Sequence, residues 1–86
     1  MDDLRKLRQR IDEIDDHILD ALFERAKVCK AIGAAKKKQG KPVRDFSREN
    51  ELFERIRAKG AEFGLDVGQV EAVYREIVNM CSAVQE

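Results

Sequence analysis

The sequence predicts an all-α protein of three helices, one long and two short. Three observations predict it. Apolar residues recur at alternating steps of three and four from Leu4 to Ile32, the spacing of one helix face. Gly40 and Pro42 interrupt that pattern once, and shorter helical patterns follow on either side of a second turn at Gly60 to Gly64. No stretch shows strand-like alternation, an internal repeat or low complexity.

Helix one is expected from about Asp3 to about Lys38. Its stripe is Leu4, Leu7, Ile11, Ile14, Ile18, Ala21, Val28 and Ile32, widened by Leu22 and Cys29. At ~1.5 Å per residue this is a rod of roughly 50 Å. Gly33 is a weak point of about 1 kcal/mol relative to alanine but does not end the helix. The segment KKKQGKPVRDFS does, because Lys41 before Pro42 is biased to extended backbone. Asp45 or Ser47 then caps helix two, which carries Leu52, Phe53, Ile56 and Phe63. Asp66 with Gln69 reads as the capping box of helix three, whose inward residues are Val70, Val73, Tyr74, Ile77, Val78, Cys81 and Val84. Two helices of ~20 residues cannot cover a ~50 Å rod. The uncovered stripe calls for a second copy, with two long helices antiparallel about a two-fold axis.

Length and composition narrow the function. The 86 residues make one small domain, 1–86, with a thin core. Lys plus Arg equals Asp plus Glu at 17 each, against the basic excess that nucleic acid or a membrane surface demands. No apolar run approaches the ~20 residues of a membrane span. The charged amino terminus lacks a signal peptide's apolar block, so a cytoplasmic location is expected. Cys29 and Cys81 form no framework and read as reduced core thiols. A lone histidine, His17, argues against a zinc site.

The informative residues are the polar ones on faces meant for burial. Arg25 stands seven residues after Ile18 and seven before Ile32, at the centre of the seam. Arg8 and Lys36 share the neighbouring column with Leu22 and Cys29. Helix two brings Glu49 inward, and helix three Gln85. Each has a plain structural explanation: Arg25 paired with Glu49, Arg8 lying along the stripe with its head in water, Lys36 in a solvated lysine run, Gln85 frayed. Together these explain less, because one glutamate does not neutralise two or three cations and an unpaired buried cation is costly. An anionic ligand in the bundle accounts for them economically. Arg8 and Arg25 are 17 residues apart, ~25 Å along one helix, so only Arg8 of a second chain could join Arg25 and Lys36.

LRQRIDEIDDHILDALFERAKVCKAIGAAK, then KPVRDFSREN, then CSAVQ, closely resemble the all-α, AroQ-type class of chorismate mutases over nearly the whole chain. The most specific pieces are LFER with a lysine eleven residues on, and VRD-x-x-RE. The resemblance implies an intertwined homodimer with two shared active sites. It also implies the cofactor-free rearrangement of chorismate to prephenate on the route to Phe and Tyr. By position, Arg8 corresponds to the arginine lent by the partner, and Arg25 and Arg48 to those holding the two substrate carboxylates. Lys36 and Gln85 correspond to the pair that hydrogen-bonds the ether oxygen. Glu49, helped by the Asp45 region, corresponds to the group that binds the ring hydroxyl. Cys81 takes the place of a serine that touches a carboxylate in many members, and it is a poor donor. Ser82 is adjacent but turned ~100° around the helix, and which of the two meets substrate stays open. Gln85 is expected to order only with ligand bound. Two other readings remain: an isochorismate pyruvate lyase on the same fold, and a non-catalytic helical dimerisation module.

Overall fold

The computed structural model describes residues 3–86 and contains three helices: α1, Asp3–Gln39; α2, Phe46–Glu62; and α3, Val67–Gln85. Each boundary has a local cause. α1 ends in Lys36, Lys37 and Lys38, cations that suit the negative end of the helix dipole. Gly40 then takes a φ of 66°, open to glycine at little cost, and two backbone bonds close the helix end: Lys41 N–H to the Lys36 carbonyl at 2.8 Å and Gly40 N–H to that of Lys37 at 3.2 Å. Gly64 repeats the device after α2. Asp45, not Ser47, caps α2, its Oδ1 accepting from the Arg48 N–H at 3.0 Å. Asp66 caps α3 by accepting from the Gln69 N–H at 2.9 Å.

α3 packs on both other helices, which do not pack on each other. It runs parallel to α1, since Cys29 meets Cys81 and Gly33 meets Gln85, and antiparallel to α2. The core is thin: Leu52, Ile56 and Val78 are buried, with Phe53, Val70 and Tyr74 against them. Phe63 does not join it. It is the residue after α2, 65% exposed, with the Lys59 ammonium 5.5 Å from its ring centre. Val73 is exposed as well, because it turns away from both neighbouring helices.

The molecule is long, 60 × 25 × 15 Å, with a radius of gyration of 16.3 Å where ~12 Å is usual for a compact chain of this length. The cause is the length mismatch: α3 covers only the carboxy-terminal half of α1. Leu4, Leu7, Ile11, Ile14 and Ile18 are left exposed, Leu7 at 64%. Among the described residues, no helix is long and apolar enough to cross a membrane.

The cysteines correct the sequence reading. Cys29 and Cys81 are joined as a disulfide across α1 and α3, with Cα atoms 5.4 Å apart. A separation of 52 residues carries no hint of this; the parallel packing of two helices creates it.

Candidate active site

Three backbone features converge at the carboxy-terminal end of α1. The Gly40 turn folds the chain back so that Val43 lies beside Lys36. The Asp45 cap starts α2 there, placing Arg48 and Glu49 in its first turn. The last turn of α3 lies against Gly33. Between them is a cavity of about 400 Å³. Arg25, Lys36, Asp45, Arg48, Glu49, Cys81 and Gln85 all line it, with Val28, Ile32, Leu52 and Val78 as apolar wall. Of the site residues singled out from sequence, Arg8 alone is elsewhere, on the exposed amino-terminal half of α1.

Lys36 is anchored at 2.6 Å to the Val43 carbonyl and at 2.8 Å to Gln85 Oε1. An ammonium has three donors, so one is left for a ligand. Holding Oε1 also fixes the Gln85 amide: its NH₂ is the free edge, donating at 3.2 Å only to Cys81 Sγ, a weak acceptor that a ligand oxygen would displace. Gln85 is therefore not frayed. It is half-buried within α3 and tied to α1. Gly33 is the reason it comes so close. A Cβ at Gly33 would lie 2.9 Å from Gln85 Cα and 3.0 Å from its Cβ. The glycine that weakens α1 as a helix gives α3 the room to approach.

Arg25 is half-buried, and its guanidinium makes a long 3.9 Å approach to Cys29 Sγ. Glu49, the partner sequence suggested for it, is taken by Arg44 in a two-pronged bond at 2.7 and 2.6 Å. Glu49 raises the Arg44 guanidinium above its usual value, by hydrogen bonding first and charge second. Arg48 leans on Glu51 at 3.6 Å, both exposed, a pair weak enough to give up. Asp45 is occupied by its cap. The cavity thus keeps Arg25 and Lys36 without a carboxylate partner among the described residues.

Cys81 requires a second correction. Bound in the disulfide it has no S–H and cannot donate to a carboxylate. Ser82 lines the cavity, a hydroxyl donor on the same wall. Arg44 and the Val43 carbonyl were not singled out from sequence. Arg44 sits one residue before the Asp45 cap and five before Glu49, a spacing no helix periodicity flags. Among the described residues, no group of three or more His, Cys, Asp or Glu side chains could hold a metal ion.

A helical cleft with two cations unpaired among the described residues, an oriented amide and apolar walls has the chemistry that suits a small, partly apolar anion. Residues 7–86 match the family described as Chorismate mutase type II, and the chain belongs to that family. It is 40% identical over 89 residues to a bifunctional chorismate mutase/prephenate dehydratase of Aquifex aeolicus, an alignment covering 100% of this chain and 25% of that protein. It is 30% identical over 83 residues to a chorismate mutase of Methanocaldococcus jannaschii, covering 96% of this chain and 84% of the relative. A solved structure of a conserved hypothetical protein from Pyrococcus furiosus superposes with a TM-score of 0.74 at 29% identity, covering 96% of this chain and 95% of that one. This chain therefore spans about a quarter of the bifunctional Aquifex protein.

Proposed function

We propose that the chain is a chorismate mutase, acting as a homodimer in which each cavity is completed by Arg8 of a second copy. The observation that carries the reading is the cavity itself: Arg25 and Lys36 without counter-charges among the described residues, beside an amide whose NH₂ is turned to donate. Chorismate is a dianion, and planar guanidinium forks match its carboxylates. Arg25 and Arg48 are assigned to them, with the second chain's Arg8. Held at both ends, the flexible substrate is confined to the compact conformer in which the breaking C–O and forming C–C bonds align, an orientation effect. Negative charge then grows on the ether oxygen. The third donor of Lys36 and the Gln85 amide are assigned to it, where fixed donors favour the transition state over the bound substrate. Glu49, steadied by Arg44, is assigned to the ring hydroxyl. The rearrangement moves no proton, so no general base is assigned.

The dimer follows from physical need. Five large apolar side chains on one stripe of α1 are still 39–64% exposed, which leaves about half of the ~1.5–3 kcal/mol of a full burial to be gained at each. An antiparallel second α1 would cover them and carry Arg8 toward the partner's Arg25. Light scattering at micromolar concentration should give twice the chain mass. Ile11→Asp places a charge on that seam, and it should yield single chains and lose turnover, because each cavity then lacks its partner arginine. The functional test is direct: purified protein consumes chorismate, followed by its loss of absorbance, and prephenate accumulates. No consumption above the uncatalysed rate would sink the proposal.

A further inference from the structure

The Cys29–Cys81 disulfide has no part in the roles assigned above, yet it lies one helical turn from several of them. Cys29 is four residues after Arg25 and four before Gly33; Cys81 is four before Gln85. The last turn of α3 meets α1 beside the cavity. Ala83 and Val84 are exposed, and the attachments are the disulfide, the close approach at Gly33 and the Lys36–Gln85 hydrogen bond.

Resting on the proposed mutase reading, we infer that Cys29 and Cys81 are positioning residues whose bond sets Gln85 against Lys36, so that the oxidation state of this pair tunes the site. Opening the bond removes the covalent tie that fixes Cys81 of α3 beside Cys29 of α1. Cys29 is only 4% exposed and has little room to swing away, so the freedom gained falls on Cys81 and the end of α3 that carries it. Gln85 lies one helical turn beyond Cys81, so its 2.8 Å bond to Lys36 is held less firmly once that tie is gone. Gly33 permits the close approach but does not enforce it; the disulfide enforces it.

The chemical step is thiol–disulfide exchange with a dithiol. One reductant thiolate attacks Cys81 Sγ, which faces the cavity, and forms a mixed disulfide as Cys29 leaves as thiolate. The second reductant thiol then displaces Cys81. Two electrons and two protons pass to the protein, giving two thiols, and the dithiol becomes its cyclic disulfide.

The test is steady-state kinetics on chorismate with protein oxidised by air and glutathione disulfide and then reduced by dithiothreitol, thiols being counted by alkylation. Reduction should lower kcat by about ten- to a hundred-fold, the scale of an ångström-sized misplacement. The Cys29→Ala/Cys81→Ala double variant should match the reduced wild type and ignore dithiothreitol. Gln85→Ala should turn over equally slowly in both states, because the bond acts through Gln85. Equal kcat for both wild-type states overturns the inference, as does failure of the pair to oxidise, or a loss in Gln85→Ala as large as in wild type. Each of these leaves a working mutase and so spares the proposed function. A wild type inactive in both states overturns the function and this inference together.

Discussion

Replacing Lys36 with alanine is expected to lower kcat for chorismate by about 10²–10³-fold, or ~3–4 kcal/mol of barrier. The size follows from where its charge lies. Two of its three donors are held by the Val43 carbonyl and Gln85 Oε1, which fix the ammonium at the cavity wall. The donation left over needs no rearrangement when charge appears on the ether oxygen. The same substitution frees the Gln85 amide to rotate, so the second donor to that oxygen is lost in part as well. Stability should suffer far less. Two hydrogen bonds at ~1 kcal/mol each are removed, enough to lower the melting temperature by about 8–16 °C without unfolding α1. Circular dichroism on the variant checks the fold, and single-turnover kinetics locate the loss in the chemical step. An unchanged kcat would remove Lys36 from the mechanism.

Arg25→Leu should divide activity from stability. Arg25 has no carboxylate partner among the described residues, and its counter-charge on this account is the substrate. Removing it should lower kcat/KM by about 2–5 kcal/mol, mainly through weaker capture of the dianion. Folding stability should hold or rise by a few tenths to ~1 kcal/mol, since leucine continues the apolar seam and no partner is left unpaired. A helical dimerisation module would have no turnover to lose. A register-fixing arginine would lower stability and activity together. Thermal denaturation and steady-state kinetics on the same preparation separate these cases.

The helices and their order were legible in the sequence, because periodicity, Gly40, Pro42 and two aspartate caps are local signals. The polar residues brought to one cavity were legible for a related reason: Arg25 and Lys36 break an apolar stripe, and a broken stripe can be seen without coordinates. Three things were not legible, and all are tertiary. The disulfide depends on the parallel alignment of α1 with α3. The order of Gln85 depends on Gly33, which read only as a flaw in a helix until a neighbour's backbone was found against it. The pairing of Glu49 with Arg44 depends on the turn between α1 and α2 and leaves Arg25 free for a ligand. Sequence periodicity records which face a residue occupies, but not what meets it there.

The central claim is that each site takes cations from two chains, and subunit complementation tests it most directly. Arg8→Ala and Arg25→Leu, each nearly inactive alone, would be unfolded together in equal amounts, refolded and assayed. Random pairing makes half the dimers mixed, and each mixed dimer holds one site with both arginines intact, so about a quarter of wild-type activity should return. Activity no higher than the average of the two separate variants would contradict the claim.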